Sequence, residues 1–216
     1  MKEILELCNK LYESIVSCPE HKTITCPQCV RDGFYSKSDD YFCSKKHYYY
    51  VMNYGPSYAS EIYHYLGHSQ ILENNFKNKQ LKVLSLGCGF APDLLALNKY
   101  IEEYKLSVSL KYTGIDASET WSQIRKNFDN ATFIKEDVNK GFDFSDIDIV
   151  FIVKLFSNLF EKKSYKQFLD LLEEQIETNL KKNSFLIFND INSECKGRDK
   201  FDSSIKNLFS SKKYYY

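Results

Sequence analysis

Three groups of side chains in this sequence are spaced for chemistry. The first lies in Lys82 to Leu95, KVLSLGCGFAPDLL. Val83 to Leu86, Ser85 among them, have the length and branching of a buried strand, and they run into Gly87, Gly89 and then Pro92-Asp93, a helix start. Glycines let a ligand approach the backbone, and the helix start offers free N–H groups to it. This is the strand, glycine turn and helix opening of a nucleotide-binding βαβ unit. Its glycines do not follow the G-x-G-x-x-G spacing, which argues against a nicotinamide dinucleotide. The second group is Asp116 and Asp137, each closing a strand-like run. A carboxylate at the end of a second strand can accept hydrogen bonds from both hydroxyls of a ribose.

The third group is Cys26-Pro-Gln-Cys29 and Cys43-Ser-Lys-Lys-His47, separated by thirteen residues. Zinc takes four N or S ligands at the corners of a tetrahedron, and two short chelating turns on either side of such a loop supply them. Cys26, Cys29, Cys43 and His47 are the expected ligands, with Cys18 or His21 as the competing choice for the place of His47.

These residues need elements to hold them. Lys2 to Val16 carries an apolar stripe (Ile4, Leu7, Cys8, Leu11, Ile15) at helical spacing, a docking helix. Tyr48 to Met52 is rich in β-formers and reads as extended. Gly55-Pro56 reads as a break, and Ser57 as the cap of a helix over Tyr58 to Leu72. On that helix Tyr58, Glu61, Tyr65 and His68 share one face, and Ala59, Ile62 and Leu66 share another, which is expected to pack on the sheet.

Beyond the glycine turn come a helix carrying Leu94, Leu97 and Ile101, a strand over Ser107 to Ile115, a helix over Ser118 to Phe128 and a strand over Ala131 to Ile134. Ile147 to Val153 is the clearest buried strand, a long helix carries Tyr165 to Leu180, and Ser184 to Phe188 is a fifth strand. Strands alternating with helices predict a doubly wound, mostly parallel α/β sheet. The tail reads as one more helix and the start of a strand. The expected divisions are 1–17, a docking helix; 18–54, a zinc-binding segment; 55–80, a connecting helix; and 81–216, the α/β domain.

Composition narrows the function. The chain has 216 residues, with 29 basic and 29 acidic side chains, so no overall field draws it to nucleic acid or membrane. No apolar run approaches the ~20 residues of a membrane span, and the amphipathic, acidic N-terminus differs from a signal peptide. Seven cysteines, several at metal-ligand spacing, point to a reducing, cytoplasmic compartment.

V-L-S-L-G-C-G, then G-I-D-A-S at Gly114 to Ser118 and F-I-K-E-D at Phe133 to Asp137, resembles the class I S-adenosylmethionine-dependent methyltransferases from about Leu81 to Ile191. The resemblance implies that Gly87 and Gly89 pass under the methionine part of the cofactor, that Asp116 holds the ribose hydroxyls and that Asp137 meets the adenine amine. It also implies that the preceding helix, through Tyr58, closes the cofactor site. Ser85 stands where the family usually has an acidic residue, and Ala91 where it has a third glycine. The terminal antiparallel strands usual in that class are expected to be incomplete here. The cysteine-rich segment is similar to the zinc finger of large-subunit ribosomal RNA guanine-N1 methyltransferases, which implies an RNA acceptor.

Methyl transfer from a sulfonium is a displacement, so the enzyme chiefly aligns the acceptor and removes a proton. The acceptor is expected beyond the C-terminal ends of the strands, near Lys154, Ser157, Asn158, Asn189 and Asp190, with Lys154 and Asp190 as catalytic candidates. The chain has neither the [DNS]-P-P-[YFW] group of amino-methylating nucleic-acid enzymes nor a Pro-Cys nucleophile. RNA leads as the expected acceptor, ahead of a small molecule or protein. The alternative is a non-catalytic binding module with zinc and a retained nucleotide fold.

Overall fold

The computed structural model describes residues 1–14, 44–206 and 208–209. Five strands form one parallel sheet: β1 (Gln80–Leu86), β2 (Ser109–Asp116), β3 (Ala131–Lys135), β4 (Ile149–Val153) and β5 (Phe185–Asn189), in the order β3-β2-β1-β4-β5. The chain begins at the centre, builds outward through β2 and β3, then returns to the other side of β1. Ligands of such sheets bind at that reversal, beyond the C-terminal ends of the central strands. The doubly wound α/β expectation holds.

Around the sheet lie α1 (Lys2–Ser14), α2 (Ser44–Ser69), α3 (Ile71–Asn75), α4 (Pro92–Glu103), α5 (Ser122–Arg125), α6 (Phe156–Glu161), α7 (Tyr165–Thr178) and α8 (Arg198–Ile205). Alternate residues of each central strand feed opposite faces, as the two-residue period of a strand requires. On β4, Ile149, Phe151 and Val153 join a core with α1, α2 and α4, while Val150 and Ile152 join one with α6, α7 and α8. All five β4 residues are buried, which explains why this strand was the plainest in the sequence.

The segment before the glycine turn differs from expectation. Tyr48 to Met52 is helical, and α2 runs unbroken through Gly55 and Pro56, crossing the expected division at 54–55. A proline inside a helix removes one hydrogen bond and costs about 3 kcal/mol. Burial of Tyr48, Val51, Ile62 and Leu66 in the core offsets it, at roughly 1.5–3 kcal/mol for each large apolar side chain. Packing along one face therefore overrides the local break. Gly55 serves that packing, since a Cβ there would stand 3.5 Å from the Phe90 ring. Gly55→Ala should thus be accommodated and raise stability by up to ~1 kcal/mol through helix propensity. Gly55→Leu should instead lift α2 from Phe90 and lower the urea midpoint, and equal midpoints for the two variants would contradict this packing.

Two further corrections concern helices. The helix expected over Ser118 to Phe128 is a 3₁₀ turn, Glu119–Trp121, followed by the short α5. That expected over Tyr58 to Leu72 is divided at Gln70, whose φ of 49° separates α2 from α3. The tail helix is present as α8, whereas the strand expected after it lies outside the described residues.

Candidate active site

The turn after β1 is shaped by close neighbours. Gly87 has φ +61°, and a Cβ on it would meet Leu155 at 2.5 Å; Gly89 has φ +51° and open space around it, with Trp121 the nearest group at 4.0 Å. Ala91 caps α4 with φ 62°, so the position where the resemblance expects glycine keeps the left-handed backbone despite its methyl group. Cys88 is buried against Gly114 of β2, and burial pushes its thiol well up. It is a packing residue, in keeping with the absence of a cysteine nucleophile.

Asp116, at the end of β2, already grips this turn. One carboxylate oxygen accepts the Gly89 N–H at 2.9 Å and the other accepts the Ser118 N–H at 2.8 Å. Arg125 of α5, 8% exposed, approaches the same carboxylate at 3.5 Å and donates from Nε to the Gly89 carbonyl at 2.8 Å. Its guanidinium also lies 5.2 Å from the Phe133 ring centroid on β3. One buried side chain thus ties together the glycine turn, Asp116 and the third strand. Sequence reasoning missed Arg125, because a single arginine on a four-residue helix carries no pattern. Asp137 is brought near by pairing: Lys135 is level with Asp116, and the Glu136 N–H reaches the Asp116 carbonyl. Its own carboxylate closes a turn on Asn139.

These residues fit a nucleoside ligand. Each Asp116 oxygen accepts one backbone N–H and retains a lone pair for a ribose hydroxyl. Gly89 leaves open the space that a Cβ would take.

Ser85 is fully buried on β1, where the resemblance expects an acid. A carboxyl group from α4 lies beside it. Asp93, also fully buried, accepts from the Tyr112 hydroxyl at 3.1 Å, and the Ser85 hydroxyl lies beside it without a well-aligned hydrogen bond. Burial raises the Asp93 carboxyl from 3.8 to about 6, against the opposing pull of Ser85, Tyr112 and the helix-start N–H groups. The folded protein therefore holds this proton to higher pH than the unfolded chain does. Stability should fall as pH rises from about 4 to 6 and then level off, by on the order of 3 kcal/mol. Asp93→Asn should match the parent near pH 4 and exceed its urea-unfolding stability at pH 8. Equal stability of the two at pH 8 would contradict this assignment.

Helix α2 packs beside the glycine turn. Tyr50 packs between Phe90 of the turn and Trp121 of the 3₁₀ segment, with centroids 6.4 and 6.0 Å away, and Tyr54 stacks on Tyr58. Tyr58 is half-buried at the end of β4, where the Lys154 ammonium lies 5.1 Å from its ring centroid and 2.8 Å from Glu61. Asp190 accepts the Ser157 and Ile191 N–H groups, so its carboxylate caps the start of α6. The structure thus gathers Tyr58, Lys154 and Asp190 at one edge and Gly87, Gly89, Asp116 and Asp137 along the adjoining one.

His47, expected on a metal-binding turn, lies inside α2. It is wholly buried, its Nε2 is 2.9 Å from the Thr120 hydroxyl, and its ring meets Trp121 edge-on. Cys26, Cys29 and Cys43, with Cys18 and His21, lie outside the described residues. Among the described residues, no three His, Cys, Asp or Glu side chains are grouped to hold a metal, and no helix is long and apolar enough to cross a membrane.

A family profile described as a methyltransferase domain matches residues 77–215. The chain belongs to that methyltransferase family. It is an S-adenosylmethionine-dependent enzyme of class I, as the glycine turn and the motifs ending at Asp116 and Asp137 implied. No curated protein sequence matches it. Among solved structures, the methyltransferase is similar to the plantazolicin methyltransferase BpumL in complex with SAH, at 20% identity and a TM-score of 0.50, over 97% of this chain and 68% of that one. A complex of BpumL with a monoazolic desmethylPZN analog and SAH gives a TM-score of 0.51 at the same identity and coverage. The N-methyltransferase NodS from Bradyrhizobium japonicum, with SAH, is 14% identical with a TM-score of 0.44, over 68% of this chain and 73% of that one. These likenesses concern the fold.

Proposed function

We propose that this methyltransferase transfers the methyl group of S-adenosylmethionine to a small-molecule acceptor bound under α2, at the end of β4. Gly87 and Gly89 would receive the methionine portion of the donor, Asp116 the ribose and Asp137 the adenine, with Ser85 supporting the turn from below and Tyr58 closing the pocket. The donor, when bound, supplies an electrophilic methyl group. The protein's task is then to orient the acceptor, exclude water and take up a proton.

The observation that carries the small-molecule reading is the edge made by Tyr58, Glu61, Lys154 and Asp190. Its two carboxylates outnumber its one cation, which disfavours a phosphate backbone, and an ammonium-binding edge with one aromatic ring suits a compact acceptor. The plantazolicin methyltransferase, whose fold is similar, is described with a desmethylPZN analog, which agrees with this reading. In this setting Lys154 pairs with Glu61 and Asp190 caps α6, so both serve first in shaping the edge.

A second reading, an RNA acceptor, has its support in the cysteine-rich segment. Cys26, Cys29 and Cys43 would bind zinc there, with His47 or one of Cys18 and His21 as the fourth ligand, in a cytoplasmic setting. Metal analysis of protein purified without chelators should find zinc that is lost on Cys26→Ser; its absence from the parent would remove the basis for the finger. Methyl-group labelling with S-adenosylmethionine, offered small amines, alcohols and acids alongside total RNA, separates the acceptors. Label appearing in RNA alone would overturn the small-molecule reading.

A further inference from the structure

Lys154, the residue after β4, has φ +53°, a left-handed conformation that costs a residue with a side chain on the order of 1 kcal/mol. Its side chain, only 16% exposed, brings the ammonium onto Glu61 at 2.8 Å and over Tyr58 at 5.1 Å. A carboxylate and an aromatic face converging on one ammonium form a receptor for organic cations, stronger where water is excluded. Asp190 adds a second negative charge nearby: burial holds the Tyr58 phenol up, and the charges of Glu61 and Asp190 raise it further. With Lys154 withdrawn, this edge keeps two carboxylates and an open ring face.

We propose that the acceptor is an alkylamine whose ammonium takes the place of the Lys154 ammonium between Tyr58 and Glu61. The inference rests on the reading of this edge as the acceptor site. Lys154 is then a resident stand-in that occupies the receptor until the acceptor arrives, with Glu61 on its solvent side, 39% exposed. The amine must lose a proton before its nitrogen can react, and Glu61, released from Lys154, is placed to take it. The nitrogen lone pair then forms the N–C bond as the S–C bond breaks with its electrons going to sulfur. The secondary ammonium product carries the positive charge that the sulfonium gave up.

A resident cation that fills the receptor most of the time weakens the apparent affinity of any incoming one in proportion. Calorimetric titration of the full chain with benzylamine and with benzyl alcohol, each with and without S-adenosylhomocysteine, tests this. Benzylamine should bind and the alcohol should bind at least ~10-fold more weakly; Glu61→Gln should weaken benzylamine by about 10-fold, and Lys154→Met should tighten it by about 10-fold. A lysine serving only structure or catalysis would not tighten binding on removal. Equal affinity for amine and alcohol, or a Lys154→Met variant that binds benzylamine no better than the parent, would overturn the proposal. S-Adenosylhomocysteine binding is read separately in the same samples. If it binds and benzylamine does not, the amine inference alone fails; if benzylamine binds and it does not, the donor reading fails instead.

Discussion

Arg125→Ala is expected to destabilise the fold by about 3–5 kcal/mol and to abolish measurable S-adenosylhomocysteine binding at 25 °C. The argument follows from what the guanidinium holds. Its Nε satisfies the Gly89 carbonyl, and its charge faces Asp116, whose side chain is 14% exposed. Removing the cation leaves a nearly buried carboxylate with only its two backbone N–H donors and a turn carbonyl without its donor, and such loss costs far more than an intact pair is worth. Arg125→Lys should recover part of the stability while leaving the cofactor affinity low, because one ammonium cannot serve the Gly89 carbonyl and Asp116 in the fixed geometry of the guanidinium. Urea unfolding and calorimetry on the same samples check both parts. An alanine variant with parental stability and parental affinity would remove Arg125 from the site.

Asp116→Ala is expected to weaken S-adenosylhomocysteine binding at least ~100-fold, since the two charge-assisted hydrogen bonds proposed to the ribose, each worth roughly 1.5–3 kcal/mol, would be lost together. The variant also releases the Gly89 and Ser118 N–H groups and leaves the Arg125 guanidinium without its carboxylate, so stability should fall as well. Asp116→Asn separates the two roles. One amide oxygen can still accept a backbone N–H and hold the turn, but the charge that strengthens the ribose contacts is gone. Its stability should fall less than that of the alanine variant, since one of the two N–H groups keeps its acceptor, while its affinity drops. A parental affinity in the alanine variant would place the ribose elsewhere.

Much of this site was legible in the sequence because its parts are local. A strand must be apolar on both faces to be buried in a parallel sheet, as Ile149–Val153 is, and a glycine turn must follow directly on its strand. Asp116 was found because it ends a strand beside that turn. What escaped notice depends on residues far apart in the chain. Glu61 and Lys154 meet only after α2 is laid across the end of β4, and Arg125 matters only because α5 lies beside Gly89. The buried neighbourhood of Ser85, Asp93 and Tyr112 was likewise hidden, because it joins β1, α4 and β2. The helical course of α2 through Pro56 was hidden for another reason: a local breaking signal was outweighed by the apolar face of a long helix.

The central claim is that the site beyond the C-terminal ends of β1 and β2 receives the nucleoside of S-adenosylmethionine with Asp116 as its principal grip. Calorimetric titration of the parent chain and of Asp116→Asn with S-adenosylhomocysteine tests it most directly. The account predicts saturable binding to one site per parent chain, with affinity falling by at least ~10-fold in a variant that remains folded. A folded parent chain that binds no S-adenosylhomocysteine, or an Asp116→Asn variant that binds it equally well, would contradict the account.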